Sequence, residues 1–413
     1  MAGWQKTLYV MVAAQLLSAV GFSMIFPFLP RYVEFLGSSF NLSIVFLVGA
    51  VFSAQALTMA VASPIWGSLA DRFGKKVMVE RAMYGGAVMI FLMAFSTSAE
   101  MLVVLRALQG FVTGTVAAAN ALVAATAPRE RTGYAMGTLQ VGLWSGVAVG
   151  PLLGGVMADA FGYRAAFYLT AALLVAGGVL VSWGIDERGA RELRVGPATE
   201  PRGVVTEMLG EWRHVLGSPG VTLVFFFRFV AWLGRHILVP YLPLFIATLM
   251  ANEARVNTIT GLTIAVSSGA GTLSATVLGR LGDRVGHRRI LISCATLAAL
   301  AYLPQYWVSA VWQLLILQAL VGAAAGGVMP VLSALLNHYT TPGEEGAAFG
   351  FDNSVTALSR AVAPMLGAAL VLIGGYRILF IAGAGLLGLT ALLAYWKLPD
   401  LGRATEFEVA LGD

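Results

Sequence analysis

A few charged side chains interrupt otherwise apolar stretches of this chain, and their chemistry is limited to a few kinds. Asp352 and Arg360 fall in one stretch, Arg228, Trp232, Arg235 and His236 in a second, and Arg106 with Gln109 in a third. A carboxyl can take up and release a proton, whereas a guanidinium stays charged and holds an anion or a carbonyl. Asp352 is therefore the first candidate for a group that changes charge. His236, which titrates near neutrality by type, is the second. Arg228, Trp232 and Arg235 stand at i, i+4 and i+7 and share one helix face. One reading pairs Arg228 or Arg360 with Asp352 and leaves the other arginines on backbone carbonyls. A second gathers Arg228, Arg235, Arg360, Gln109 and Asn120 around a positive cavity walled by Trp144, Trp232 and the Phe225–Phe227 run. That run equally suits a packed or lipid-facing surface. Glu34 follows Arg31 by one helical turn, so these two have a ready pairing at the surface.

The stretches that position these residues are long. The 413 residues are 58% hydrophobic and 11% charged, with mean hydropathy +0.80, against about 25% charged in a soluble domain. Twelve apolar runs are each long enough to cross a hydrocarbon layer about 30 Å thick. They cover approximately 8–30, 44–66, 77–98, 101–126, 134–158, 164–185, 220–247, 256–279, 290–310, 312–337, 346–373 and 376–397. Backbone groups in lipid must be satisfied within the segment, so all are expected to be helices. Asp352 is the one acid expected inside a span, and placing such a charge at mid-membrane costs about 2.5–3.5 kcal/mol. The first run lacks a small-residue cleavage site and is expected to be retained.

With the N-terminus in the cytoplasm, eighteen of the 26 Lys and Arg residues lie in cytoplasmic segments. Only Arg31, Arg164, Arg255 and Arg377 lie outside. Such a bias orients a membrane protein with both ends cytoplasmic. It accounts for the net charge of +5 without nucleic acid. Trp4, Trp66, Trp183, Trp396, Trp307 and Trp312 fall near span ends, where an interfacial belt is expected. The lone Cys294 excludes an intrachain disulfide. No phosphate-cradling glycine loop, metal-ligand cluster or soluble catalytic domain is visible, so neither an enzyme nor a metal or cofactor is expected.

The chain is duplicated. Gly67-Ser-Leu-Ala-Asp-Arg-Phe-Gly-Lys-Lys76 returns as Gly279-Arg-Leu-Gly-Asp-Arg-Val-Gly-His-Arg288, 212 positions on. Pro27-Phe-Leu-Pro30 returns as Pro240-Tyr-Leu-Pro243, Leu105–Gly110 as Leu317–Gly322, and Gly162-Tyr-Arg164 as Gly375-Tyr-Arg377. The fold expected is all-α, with twelve transmembrane helices in two pseudo-symmetric six-helix bundles at 1–185 and 219–413. A cytoplasmic loop at 186–218 joins them, and its part Val204–Leu216 suits either an interfacial helix or a solvated linker. Parallel repeats of this kind are a transporter architecture with the site near the midplane.

The charged turn resembles the loop between spans two and three of the major facilitator superfamily. Gly67, Leu69, Ala70, Asp71, Arg72, Gly74 and Lys76 match its pattern. The second copy, with Asp283 and Arg284, departs at Gly282 and His287. The resemblance implies that Asp71 helps hold the inward side closed and lets go during transport. Gly137, Gly146, Gly150, Pro151, Gly154 and Gly155 resemble the span-five motif of the superfamily's drug/proton antiporters. Span eleven keeps Gly350, Pro364 and Gly367 but has Ser359 and Ala363. Arg106, Gln109 and Gly110 match a span-four motif whose arginine is associated with proton coupling. Gly21, Pro27 and Pro30 resemble the span-one signature of the twelve-span members, although span one lacks a mid-span acid. Phe28–Gly37, Asn120-Ala-Leu-Val and Gly137-Thr-Leu carry a likeness to bacterial MdtG-type multidrug transporters.

The expectation is a major facilitator transporter of the bacterial inner membrane. It would exchange protons for small amphiphilic molecules, anionic ones among them, by alternating access. Its partners would be substrate, protons and the lipid bilayer, with the proton gradient in place of a cofactor and the monomer as working unit. The alternatives are an exporter or flippase of one anionic lipid or metabolite and, more remotely, a non-transporting membrane sensor.

Overall fold

A computed structural model describes residues 3–185, 219–340 and 345–398. Among these the chain is helical and contains no strand. The 186–218 connection, with the segment Val204–Leu216, lies outside the described residues. So do 341–344 and the tail beyond 398.

Among the described residues there are sixteen α-helices, eight per repeat and in the same order. The first repeat contributes α1 (Gly3–Met24), α2 (Leu29–Leu36), α3 (Ile44–Phe73), α4 (Lys75–Met93), α5 (Ala99–Val112), α6 (Thr115–Thr126), α7 (Thr132–Phe161) and α8 (Tyr163–Gly184). The second contributes α9 (Pro219–His236), α10 (Leu242–Leu249), α11 (Val256–Val285), α12 (His287–Tyr302), α13 (Val311–Ala325), α14 (Val328–Tyr339), α15 (Glu345–Gly374) and α16 (Ile378–Lys397). They make the twelve expected spans, because spans one, four, seven and ten are each two helices in tandem.

The breaks have local causes. Pro27 and Pro30 supply no N–H, and the chain restarts with Leu29 N–H on the Ile25 carbonyl at 2.9 Å. Pro240 interrupts span seven in the same way. Span four breaks at Gly114, whose φ of +146° suits glycine. Among the described residues nine helical segments are long and apolar enough to cross a bilayer. The other spans are the two-piece spans four and seven and the charged α4. The charged turns are mostly helix: α3 runs through Phe73 and α11 through Val285. The reversals are Gly74 and Gly286, with φ +110° and +101°.

Contacts divide the chain into two compact units, Met1–Pro201 with Leu242–Ala265, and Arg202–Tyr241 with Val266–Asp413. The segment Leu242–Ala265 belongs to the second repeat by sequence but packs with the first. One core joins Leu8 and Met11 of α1 to Val79 of α4, Leu122 of α6, Leu139 of α7 and Val181 of α8. The other joins Val224 and Phe227 of α9 to Leu291 of α12, Leu332 of α14, Ala348 of α15 and Ala394 of α16. Lipid tails are as apolar as these side chains, so close packing rather than escape from water holds such helices together.

Candidate functional site

In the second unit, Arg228 of α9 meets Asp352 of α15. Its Nε donates to Asp352 Oδ1 at 2.6 Å, and its Nη1 and Nη2 donate to Ser333 Oγ of α14 at 3.3 and 2.7 Å. Both charged residues are buried. The residues sit on three helices, so their meeting is a tertiary event. Of the two partners the sequence allowed for Asp352, the fold brings Arg228 to it. Phe225 packs on Phe351 with ring centroids 4.8 Å apart, and Phe225 and Phe227 are core residues. The Phe225–Phe227 run is thus not an aromatic wall, and only Phe226 is exposed.

Arg235 and Arg360 behave differently. Among the described residues neither makes a hydrogen bond or ion pair. Arg235 is exposed and Arg360 partly so. Arg235 lies near Tyr302, and both guanidiniums act electrostatically on the His236 ring. His236 Nδ1 lies 3.1 Å from the Trp232 carbonyl, and the two rings are 4.8 Å apart. The face drawn from the i, i+4, i+7 spacing therefore separates, with Arg228 tied inward and Arg235 left open.

In the first unit, the buried Arg106 donates from Nη1 to Gln109 Oε1 at 2.7 Å and from Nη2 to Gln55 Oε1 at 3.3 Å. Its Nε reaches the Val51 carbonyl at 3.4 Å, and its guanidinium lies over the Phe52 ring. Gln109 Nε2 is buried and has no hydrogen-bond partner among the described residues. Asn120 is half-buried on α6, and Trp144 is 45% exposed on α7. Glu34 pairs with Arg31, which also reaches Glu253.

The glycines of α7 bear on the backbone of α1. A Cβ at Gly146 would meet Leu16 and Val20, one at Gly150 the Val20 carbonyl, and one at Gly154 the Met24 carbonyl. Gly155 faces the Asn257 carbonyl of α11. Among the described residues a Cβ at Gly137 would meet no atom within 4 Å, unlike those at the later glycines of the motif.

At the charged turns, the side chains of Gly67, Asp71 and Arg72 lie outside the described set. Lys76 donates to the Ser182 and Ile185 carbonyls at 2.8 and 2.7 Å, capping the C-terminal end of α8. Arg288, its counterpart, donates to the Tyr395 carbonyl near the end of α16 at 2.5 Å. A cation at a helix C-terminus is favourable. Asp283 faces His287 at 3.5 Å and is exposed, as is Arg284.

Several residues escaped the sequence reading. Ser333 carried no signal of its own. Glu80 also lies in a span helix, beside Lys76 at 3.6 Å, so Asp352 is not alone there. Arg81, counted by position among the cytoplasmic residues, lies in α4 with its guanidinium 3.5 Å from the centre of the Trp66 ring. Trp66 in turn donates to the Phe111 carbonyl at 2.6 Å, a packing role rather than a simple belt position. Trp183, Trp307, Trp312 and Trp396 are exposed, as belt residues are.

The model of the Major Facilitator Superfamily matches at residues 11–252 and again at 224–412. The chain belongs to the major facilitator superfamily. It is 34% identical over 407 residues to the multidrug resistance protein MdtG of Salmonella arizonae, covering 98% of each chain. It is 35% identical over 396 residues to that of Citrobacter koseri, covering 95% of each. Among solved structures, the nucleoside transporter NupG superposes with TM-score 0.77 at 14% identity, over 95% of this chain and 100% of that one. The last likeness shows the fold alone. The chain is therefore a multi-pass membrane protein of a transporter superfamily, with relatives named for multidrug resistance. Twelve spans and a duplicated bundle are the superfamily's arrangement, as the repeats led one to expect.

Proposed function

We propose that this protein exports small amphiphilic molecules across the bacterial inner membrane in exchange for protons, with both chain ends in the cytoplasm. The observation that carries the coupling is the buried Arg228–Asp352–Ser333 group. A proton on Asp352 removes the negative charge facing Arg228 and weakens that link, while the bonds to Ser333 remain. A group tying α9, α14 and α15 thus has two arrangements, differing by one proton, as a coupled carrier needs. His236, titratable by type, ranks second, and Arg106, whose guanidinium stays charged, follows. Asp71 would serve as the cytoplasmic latch. The working unit would be the monomer, powered by the gradient alone.

The test is proton and substrate flux in liposomes containing the full chain. Asp352→Asn is expected to abolish gradient-driven uptake into inverted vesicles while leaving substrate binding measurable. Unchanged gradient-driven transport in that variant would remove Asp352 from the role.

A second reading concerns the substrate. Arg235 and Arg360 are span cations with no hydrogen-bonding or ionic partner among the described residues, and Trp232 and His236 supply ring surface beside them. That set suits an amphiphile with a negative headgroup, up to a dedicated exporter or flippase of one anionic lipid or metabolite. A transport screen pairing cationic with anionic compounds separates the two: export of anions at equal rates by Arg235→Gln and wild type would count against the anionic reading.

A further inference from the structure

In the first unit, the last turn of α7 carries Asp159, which meets the start of α11. Asp159 Oδ1 accepts from Asn257 Nδ2 at 2.7 Å, and Oδ2 accepts from the backbone N–H of Thr258 at 2.7 Å. Both donors stand in the first turn of α11, where N–H groups have no intrahelical acceptor and the helix dipole favours an anion. The backbones also touch nearby. A Cβ at Gly155 would strike the Asn257 carbonyl, and one at Gly261 the Pro151 carbonyl. Arg31 bridges to Glu253 on the same segment, but the Glu253 side chain is 62% exposed, and exposed ion pairs contribute little.

Two features set the Asp159 contact apart from an ordinary cap. An ordinary cap comes from the adjoining chain, as Asn252 supplies by accepting from the Ala254 N–H at 2.9 Å. Here the acceptor comes from the other repeat. The capped segment, Leu242–Ala265, is grouped with the first unit, yet at both ends it continues directly into chain of the second. The segment is thus held on a body other than the one its chain leads into, and Asp159 supplies the charge-assisted part of the hold. Releasing it exchanges two hydrogen bonds for bonds to water on a face that is then open, a modest net change.

We propose that Asp159 and the first turn of α11 form a latch on the face opposite the chain ends, closed here and released once per transport cycle. This rests on the transport reading and adds a positioning residue to it. Asp159 carried no expected role, because it falls just past the expected end of its span.

The test uses the full chain in proteoliposomes in a Cys294→Ala background, which removes the lone native thiol. In one arm, Asp159→Cys with Thr258→Cys is oxidised to tie the helices. At least a tenfold loss of both gradient-driven uptake and downhill counterflow is expected, with recovery on reduction. A contact that only holds the fold would tolerate the tie, so full transport by the cross-linked protein would overturn the latch. In the other arm, Thr258→Cys alone reports exposure to an impermeant maleimide. Asp159→Asn should raise its labelling rate at least fivefold, and Asp159→Glu should restore it; equal labelling in all three would also overturn the latch. Asp352→Asn is expected to lose only gradient-driven uptake and keep counterflow. Failure of the coupling reading and failure of the latch therefore give different results.

Discussion

The two repeats share their backbone packing and differ in their charges. Gly154 lies on the Met24 carbonyl, and its counterpart Gly367 lies on the equivalent Ile237 carbonyl. Gly110 lies on Gln55, and Gly322 on the equivalent Ser267. Gly146 lies on the Leu16 carbonyl, and its counterpart Ser359 hydrogen-bonds the equivalent Phe229 carbonyl at 3.2 Å. Inside the spans, charges do not repeat. Arg106 is answered by Gln318, whose Nε2 donates a hydrogen bond to Gln305 Oε1 at 2.9 Å. Arg228, Asp352 and Ser333 are answered by Gln15, Leu139 and Asn120. Close backbone approach assembles spans in lipid, so both bundles need it. A charge is costly there, and each bundle keeps one where the other has a neutral residue.

The largest expected effect comes from converting the second repeat into the first at that group. Arg228→Gln alone leaves Asp352 buried without its partner and should cost about 3–5 kcal/mol, read as a melting shift in detergent. Adding Asp352→Leu should recover most of that stability without restoring gradient-driven transport. Uphill transport by the double variant would break the comparison. Next is the glycine–serine pair. Gly146→Ser has no room against α1 and should cost about 1–3 kcal/mol. Ser359→Gly loses one hydrogen bond and should cost about 0.5–1.5 kcal/mol; equal costs in melting would show that the two helices are not packed alike.

The helix caps are smaller. Lys76→Met and Arg288→Met should each cost about 0.3–1 kcal/mol. The smallest effect is at the loop after α2. The Ser38 hydroxyl first, with the N–H groups of Ser39 and Phe40, holds the Glu100 carboxyl down to about 2. Its contribution is present above the ordinary value near 4.5 and is lost as pH falls from there towards 2. Protection of the Ser39 and Phe40 amides, taken relative to the intrinsic exchange rate at each pH, should fall over that window, and Glu100→Gln should flatten the dependence.

Much of the fold was legible because a bilayer constrains sequence severely. Run lengths, prolines and glycines disclosed the spans and the duplication. The span breaks at Pro27, Gly114 and Pro240 could be suspected at the first and last from proline alone. Gly114 could not, because a glycine is compatible with a continuing helix, and its φ of +146° is set by the fold. The candidate site was legible as residue types and not as contacts. Asp352 stood out as a costly acid, but Arg228 and Arg360 were equal candidates for it.

The sequence by itself determined which residues are expensive to place in a membrane, how many spans there are, and that one unit is used twice. Each of these follows from local composition or from comparing the chain with itself. Only the tertiary structure decided that Arg228 rather than Arg360 meets Asp352, that Ser333 completes the group, and that Asp159 caps a helix from the other repeat. Each of those contacts joins residues about a hundred or more positions apart. Their partners are set by how helices are rotated and packed, which helical periodicity within one span does not specify.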